Sequence, residues 1–164
     1  MIIRKAQRSD VPEMRKIFNE VLRNSNSIYR EEEVTLEERY AWFDEKIEHG
    51  FPIFGAYEGD KLIGYAGYGS WRAAQGYRKT VELTIYVDSS VRGKGTGKAL
   101  MQTIINQATA DGYHVMIGAI DSANQLSIDF HKKFGFVETA RMPEVALKNG
   151  QWLDLVFMQL TIAN

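Results

Sequence analysis

Between Arg92 and Lys98 the chain reads Arg-Gly-Lys-Gly-Thr-Gly-Lys, three glycines alternating with basic or hydroxyl side chains. Glycine permits backbone conformations that a Cβ hinders, and it lets main-chain amides approach a ligand closely. Ahead of this run lies the β-branched segment Val81–Val87. Behind it, Leu100, Met101, Ile104, Ile105 and Ala108 recur at helical spacing. The loop therefore joins a strand to the N-terminus of a helix, where the positive end of the macrodipole favours anions. Arg92, Lys94 and Lys98 add formal charge, and the product is a cradle for a diphosphate. A Walker loop does not fit, because its first glycine would fall on Arg92 and its hydroxyl residue on Ala99. A G-x-G-x-x-G dinucleotide fingerprint does not fit either, since the third glycine comes one residue early, at Gly97.

Two residues have proton chemistry. Glu82 interrupts the apolar strand, on one face with Thr84 and Tyr86 and opposite Val81, Leu83, Ile85 and Val87. A carboxylate on a central strand is costly to bury without a partner or a task. From the residues alone it is either an ion-pair partner for a cation such as Arg72 or a general base. His131, in Phe130-His131-Lys132-Lys133-Phe134-Gly135-Phe136, titrates near neutrality and can pass a proton. A packing role is the alternative. His49 and His114 read as structural. Trp71-Arg72 precedes a small-residue loop, and an arginine fork suits a carboxylate or phosphinate. Asn124 stands where a helix would begin, as a cap or a ligand contact. Tyr29, in the polar stretch Asn24–Glu33, is either a pocket wall or a minor core aromatic.

The elements that must position these groups follow from periodicity and punctuation. Ile2–Ala6 reads as a first strand. Asp10 and Glu13 form a capping-box pattern before Val11, Met14, Ile17, Phe18, Val21 and Leu22, which recur at helical spacing. Thr35 and Glu38 repeat that pattern before a helix, Leu36 to Glu48, that stops at Gly50. Ile53–Tyr57 and Lys61–Tyr68 flank the turn Glu58-Gly59-Asp60. Thr80–Val87 is a strand, the loop opens a helix ending near Asp111-Gly112, and His114–Ile120 is a buried strand. Ser122–Lys133 is helical, and Phe136–Ala140 and Trp152–Leu160 are strands whose arms meet at Asn149-Gly150. Short turns pair strands antiparallel and helical crossovers pair them parallel, so a mixed α/β or α+β sheet covered by helices is predicted.

The 164 residues suit a single domain, 1–164. Hydrophobic residues at 45% and charged residues at 25% are ordinary for a globular chain. A formal net charge of −1 provides no basic field to draw in nucleic acid or an anionic membrane. The absence of cysteine excludes disulfides, thiolate metal sites and a cysteine nucleophile. Met1-Ile2-Ile3-Arg4-Lys5 lacks the apolar core of a signal peptide, and no run of about 18 apolar residues occurs. A cytoplasmic location is expected, with no metal.

Val81–Lys98 resembles the acetyl-CoA motif of the GNAT superfamily, Arg/Gln-x-x-Gly-x-Gly/Ala. Over nearly the whole chain the sequence is most similar to the branch that acetylates phosphinothricin and methionine sulfoximine. Ala41-Trp42-Phe43, Gly64-Tyr65-Ala66, Trp71-Arg72, Thr80-Val81-Glu82, Tyr86-Val87, His131, Gly135-Phe136 and Trp152-Leu153-Asp154-Leu155 carry that likeness. It implies a twisted mixed sheet of about seven strands with about four helices, its central parallel strands splayed. It implies acetyl-CoA held by main-chain groups of Ile85, Tyr86 and Val87, by Arg92, Gly93, Lys94, Gly95, Thr96, Gly97 and Lys98, and by Asn124. It implies Glu82 and His131 as catalytic residues, and an acceptor site of Tyr29, Arg72, Glu82 and Thr84. The acceptor implied is a small amino acid acetylated on its α-amine, and relatives often pair as homodimers. One departure from the wider superfamily is Phe130, where many members have a tyrosine that protonates the leaving thiolate. Acetylation of a protein N-terminus or lysine, or a non-catalytic acetyl-CoA-binding module, are the rival readings.

Overall fold

Alternation and helical spacing set the elements of the computed structural model, which describes residues 1–162. They are β1 (Ile2–Lys5), α1 (Val11–Asn24), α2 (Leu36–Glu48), β2 (Ile53–Glu58), β3 (Lys61–Ser70) and β4 (Thr80–Val87). There follow α3 (Thr96–Ala110), β5 (Val115–Asp121), α4 (Gln125–Lys132), β6 (Val137–Lys148) and β7 (Gln151–Thr161). This is the predicted order. Thr35 caps α2, its Oγ1 accepting from Glu38 N at 3.1 Å. Asp10 behaves differently from the capping-box expectation. Its Oδ2 accepts from Gln7 N at 2.8 Å and from the Tyr57 hydroxyl at 2.6 Å, while Glu13 pairs with Lys16. A short 3-10 turn, Arg8–Asp10, precedes α1 and diverts the Asp10 carboxylate from that helix.

The seven strands form one sheet in the order β1-β2-β3-β4-β5-β7-β6. All neighbours are antiparallel except β4 and β5, which are parallel. That parallel pair is short. It matches Thr80, Val81 and Glu82 with Val115, Met116 and Ile117, and then pairing stops. Leu83–Val87 and Gly118–Asp121 diverge around a cleft, while β3 and β7 stay paired on the outer sides.

Each face of the sheet has its own core. On one face Leu100, Met101 and Ile104 of α3 pack with Val81, Leu83 and Met116. On the other, Val11, Met14 and Ile17 of α1 and Phe43 of α2 cover Tyr57 and Tyr65. No helix of the described residues is long and apolar enough to cross a membrane. The last hairpin runs longer than predicted. Pro143 argues against a continuous strand beyond Ala140, yet β6 reaches Lys148 through a register shift between Met142 and Ala146, with Glu144 at φ 54°. β6 is an edge strand, where a missing N–H and a bulge are tolerated.

Candidate active site

The glycines of the loop differ in how strictly the backbone requires them. Gly93 and Gly95 adopt φ of 85° and 80°, a left-handed region that strains other residues. A Cβ at either would meet nothing within 4 Å, so backbone conformation is the constraint there. Gly97 lies inside α3, where a Cβ would meet Phe130 Cζ at 3.6 Å, an ordinary van der Waals contact, so neither backbone strain nor a clash demands glycine there. Gly95 is the N-cap of the 15-residue α3 and its side chain makes no cap, leaving first-turn amides facing outward. Arg92 extends to the cleft, and Lys94 and Lys98 are exposed on the same loop.

The cleft has a volume of about 600 Å³. Asp88 N donates to Ile63 O at 2.9 Å, so the backbone of even-numbered β4 residues bonds to β3. By alternation, the N–H and C=O groups of Leu83, Ile85 and Val87 turn into the gap beyond the last β5 pair. Main-chain contact was expected at Ile85, Tyr86 and Val87. Of these three, Ile85 and Val87 have main-chain groups turned to the gap, while Tyr86 lines the cleft with its ring, packed on Phe18 and Tyr65.

Glu82 and His131 both line this cleft, from opposite faces of the sheet. Glu82 shares the α1–α2 face with Thr84 and Tyr86, as expected. Burial raises its carboxyl pKa, and the positive charge of Lys46 draws it back down in part. The partner in charge is thus Lys46, not Arg72. His131 is only 3% exposed and packs on Phe130 and Phe136. Its Nδ1 lies 2.7 Å from Ser127 O. A carbonyl only accepts, so Nδ1 carries the hydrogen and Nε2 keeps a lone pair. Nε2 rests on Gly118, where a Cβ would stand 2.9 Å away. Burial lowers the imidazole pKa, with the Ser127 hydrogen bond opposing it, so the ring is neutral near pH 7.

The remaining wall comes from the α1–α2 connection. The Tyr29 hydroxyl donates to Asp121 Oδ1 at 2.6 Å and lies 3.0 Å from Asp154 O. Burial and the Asp121 carboxylate raise its pKa, so it stays protonated. Asn124 caps α4, accepting from Ser127 N at 3.2 Å, and its Nδ2 donates to Ser27 Oγ at 3.3 Å while facing the cleft. Lys148 anchors this wall from below. Its Nζ donates to Leu22 O at 2.9 Å, Ser25 O at 2.9 Å and Ile28 O at 2.7 Å.

Of the acceptor residues expected, Tyr29, Glu82 and Thr84 line the cleft. Arg72 does not. It is exposed, with its guanidinium carbon 5.9 Å from the Tyr77 ring centroid, while Trp71 packs against Phe157. Lys46, Asp121 and Lys148 were missed, because each is an ordinary charged residue in sequence. Only an unusual setting marks them, and that setting is tertiary.

Main-chain groups along a splayed strand, leading to a helix N-terminus with two left-handed glycines, suit an extended amide-bearing arm that ends in a diphosphate. Fold and cleft together define a group-transfer enzyme of the acyl-coenzyme A kind. The chain belongs to the acetyltransferase (GNAT) family, whose profile matches residues 11–136. An L-methionine sulfoximine/L-methionine sulfone acetyltransferase of Pseudomonas paraeruginosa is 44% identical over 98% of this chain and 94% of that protein. The structure of yncA from Salmonella typhimurium with its cofactor acetyl-CoA superposes with a TM-score of 0.96 at 38% identity, covering 100% of this chain and 95% of that one. A phosphinothricin acetyltransferase of Sinorhizobium meliloti in complex with acetyl-CoA gives a TM-score of 0.94 at 32% identity, over 99% and 88% of the two chains. The expected seven-stranded mixed sheet and the expected family are both borne out.

Proposed function

We propose that the chain transfers the acetyl group of acetyl-CoA to the α-amine of a small amino acid or analogue of the methionine sulfoximine, methionine sulfone or phosphinothricin type. The observation that carries this reading is a desolvated carboxylate, Glu82, facing the same cleft as the unprotonated Nε2 of a buried histidine. The names of the relatives support the acceptor class.

Acetyl-CoA supplies an activated acyl carbonyl. Ile85 and Val87 offer main-chain partners to its arm, and Arg92 and the Gly93–Lys98 amides hold its diphosphate. An α-amine has a pKa of about 8 and is mostly protonated at pH 7. Glu82 takes a proton from that ammonium and frees the nitrogen lone pair for attack on the carbonyl carbon. A second proton must leave the nitrogen as the amide forms. Nε2 of His131 is the neutral acceptor that lines the cleft, and Phe130 has no hydroxyl with which to protonate the departing thiolate. The sheet's outer hairpin exposes Val137, Met142, Val145, Leu147 and Trp152, an apolar surface that supports pairing as a homodimer.

The test is a panel of α-amino acids, the three analogues and short peptides, each with acetyl-CoA, reading free thiol. Turnover of amino acids or analogues over peptides is expected. Glu82→Gln is expected to lower kcat/KM by about 10²- to 10⁴-fold with acetyl-CoA affinity retained. Because burial raises the Glu82 pKa, the acid limb of wild-type kcat/KM should lie above the ordinary carboxylate range and be absent in the variant. Turnover of peptides alone, or a fully active variant, refutes the reading.

A further inference from the structure

Lys46 stands on α2, outside every motif that the sequence displays. Its ammonium nonetheless lies at the catalytic cleft. Gly69 of β3 pairs with Glu82 of β4 in the ladder, so their Cα–Cβ directions share one face of the sheet. The Lys46 Nζ fills the place that a Cβ on Gly69 would take. The cation therefore sits against bare backbone, directly beside the Glu82 side chain. Among the described residues, the ion pairs do not include it, so no carboxylate is in direct contact with its charge.

Its surroundings make that charge available. Lys46 lines the main cleft with Gly69, Ser70 and Glu82, and it also lines an adjoining cavity of about 230 Å³ with Trp42, His49 and Phe51. Burial lowers its pKa while Glu82 and Glu45 raise it and Arg39 lowers it, so it is a partly desolvated cation among mixed charges. A carboxylate and an ammonium side by side, without direct pairing, match the two ends of an amino-acid zwitterion.

Resting on the assignment of Glu82 to the acceptor amine, we propose that Lys46 is the specificity-determining cation of the acceptor site. It binds the α-carboxylate of the amino acid whose amine faces Glu82. Arg72, the fork that the sequence pointed to, stands outside the cleft. The arrangement selects α-amino acids over simple amines and over amino acids whose carboxyl is blocked as an amide.

The experiment pairs each accepted amino acid with its carboxamide, in wild type, Lys46→Met and Lys46→Arg, with acetyl-CoA affinity measured calorimetrically to report folding. Wild type is expected to show a KM about 10- to 100-fold lower for the acid than for the amide, the range of a charge-assisted hydrogen bond. In Lys46→Met that preference should vanish through a rise in the acid's KM alone, and Lys46→Arg should restore much of it. A wild type that turns over acid and amide with equal KM overturns the Lys46 assignment and leaves the acetyl-transfer reading intact. Equal losses on acid and amide, with the acid limb of kcat/KM moved to higher pH, overturn it too, since Lys46 would then act only on Glu82. A wild type that acetylates no amine at all overturns both. Should Lys46→Met not fold, the wild-type and Lys46→Arg preferences decide.

Discussion

Replacing Lys148 by methionine tests how the cleft wall formed by Ser27, Ile28 and Tyr29 is held. The buried ammonium donates to three carbonyls, at 2.9 Å to Leu22 O, 2.9 Å to Ser25 O and 2.7 Å to Ile28 O. Leu22 lies in the last turn of α1, where carbonyls lack helical partners, and Ile28 lies in the segment that lines the cleft. Methionine keeps most of the stem volume but offers no donor. The bonds to Leu22 and Ile28 are buried, and a buried carbonyl left unpaired costs about 1–3 kcal/mol. Loss of both gives roughly 2–6 kcal/mol. At about 2–4 °C per kcal/mol for a chain of this size, Tm should fall by roughly 4–24 °C. Ser27–Tyr29 should also loosen, raising KM for the acceptor well above its wild-type value. The Arg92–Lys98 loop lies elsewhere and should keep its acetyl-CoA affinity. Thermal melts with and without acetyl-CoA, combined with acceptor kinetics, measure all three quantities. A Tm within about 2 °C of wild type, or an acetyl-CoA affinity that falls as far as the acceptor's, refutes the anchoring role.

Two further expectations concern the cofactor loop and pH. Gly95→Glu places a Cβ at φ 80° and a negative charge beside the diphosphate cradle, so acetyl-CoA affinity should drop at least tenfold while the apo-protein melts only slightly lower; unchanged affinity in titration calorimetry would remove the cradle. His131 has its pKa lowered by burial, so the unfolded chain takes up a proton before the folded chain does as pH falls below about 6.5. The stability this neutral ring contributes is present above that pH and is lost as pH falls towards the folded pKa. Urea midpoints of wild type should approach those of His131→Asn between pH 7.5 and 5.5, whereas a gap that widens contradicts the burial effect.

Local features of the chain made much of the site legible. Strand, glycine loop and helix are contiguous, so Val81–Lys98 encodes its own geometry. The alternation of β4 placed Glu82 with Thr84 and Tyr86 correctly, because side-chain direction in a strand follows from counting alone. Tyr29, Asn124 and His131, each open between a structural and a site role in the sequence, line the cleft. Arg72 did not, because a loop arginine has no periodicity to aim it. The strand expected to end at Ala140 runs on through Pro143 to Lys148, because tolerance of a bulge depends on the strand's place at the sheet edge.

The sequence by itself determined the order of elements, the glycine loop at a helix N-terminus and the strand that presents a carboxylate. These depend on neighbours within a few residues, whose contacts are fixed by backbone geometry. Tertiary structure decided what that carboxylate faces. Lys46 meets Glu82 only because β3 aligns Gly69 with Glu82 and α2 lays its lysine across the bare position. Tyr29 reaches Asp121 across 92 residues, and Lys148 reaches Leu22 across 126. The gap that opens the site exists because β4 and β5 part after Glu82 and Ile117. Such pairings depend on how whole layers pack, and a lysine or aspartate bears no local mark of the partner that packing will bring to it.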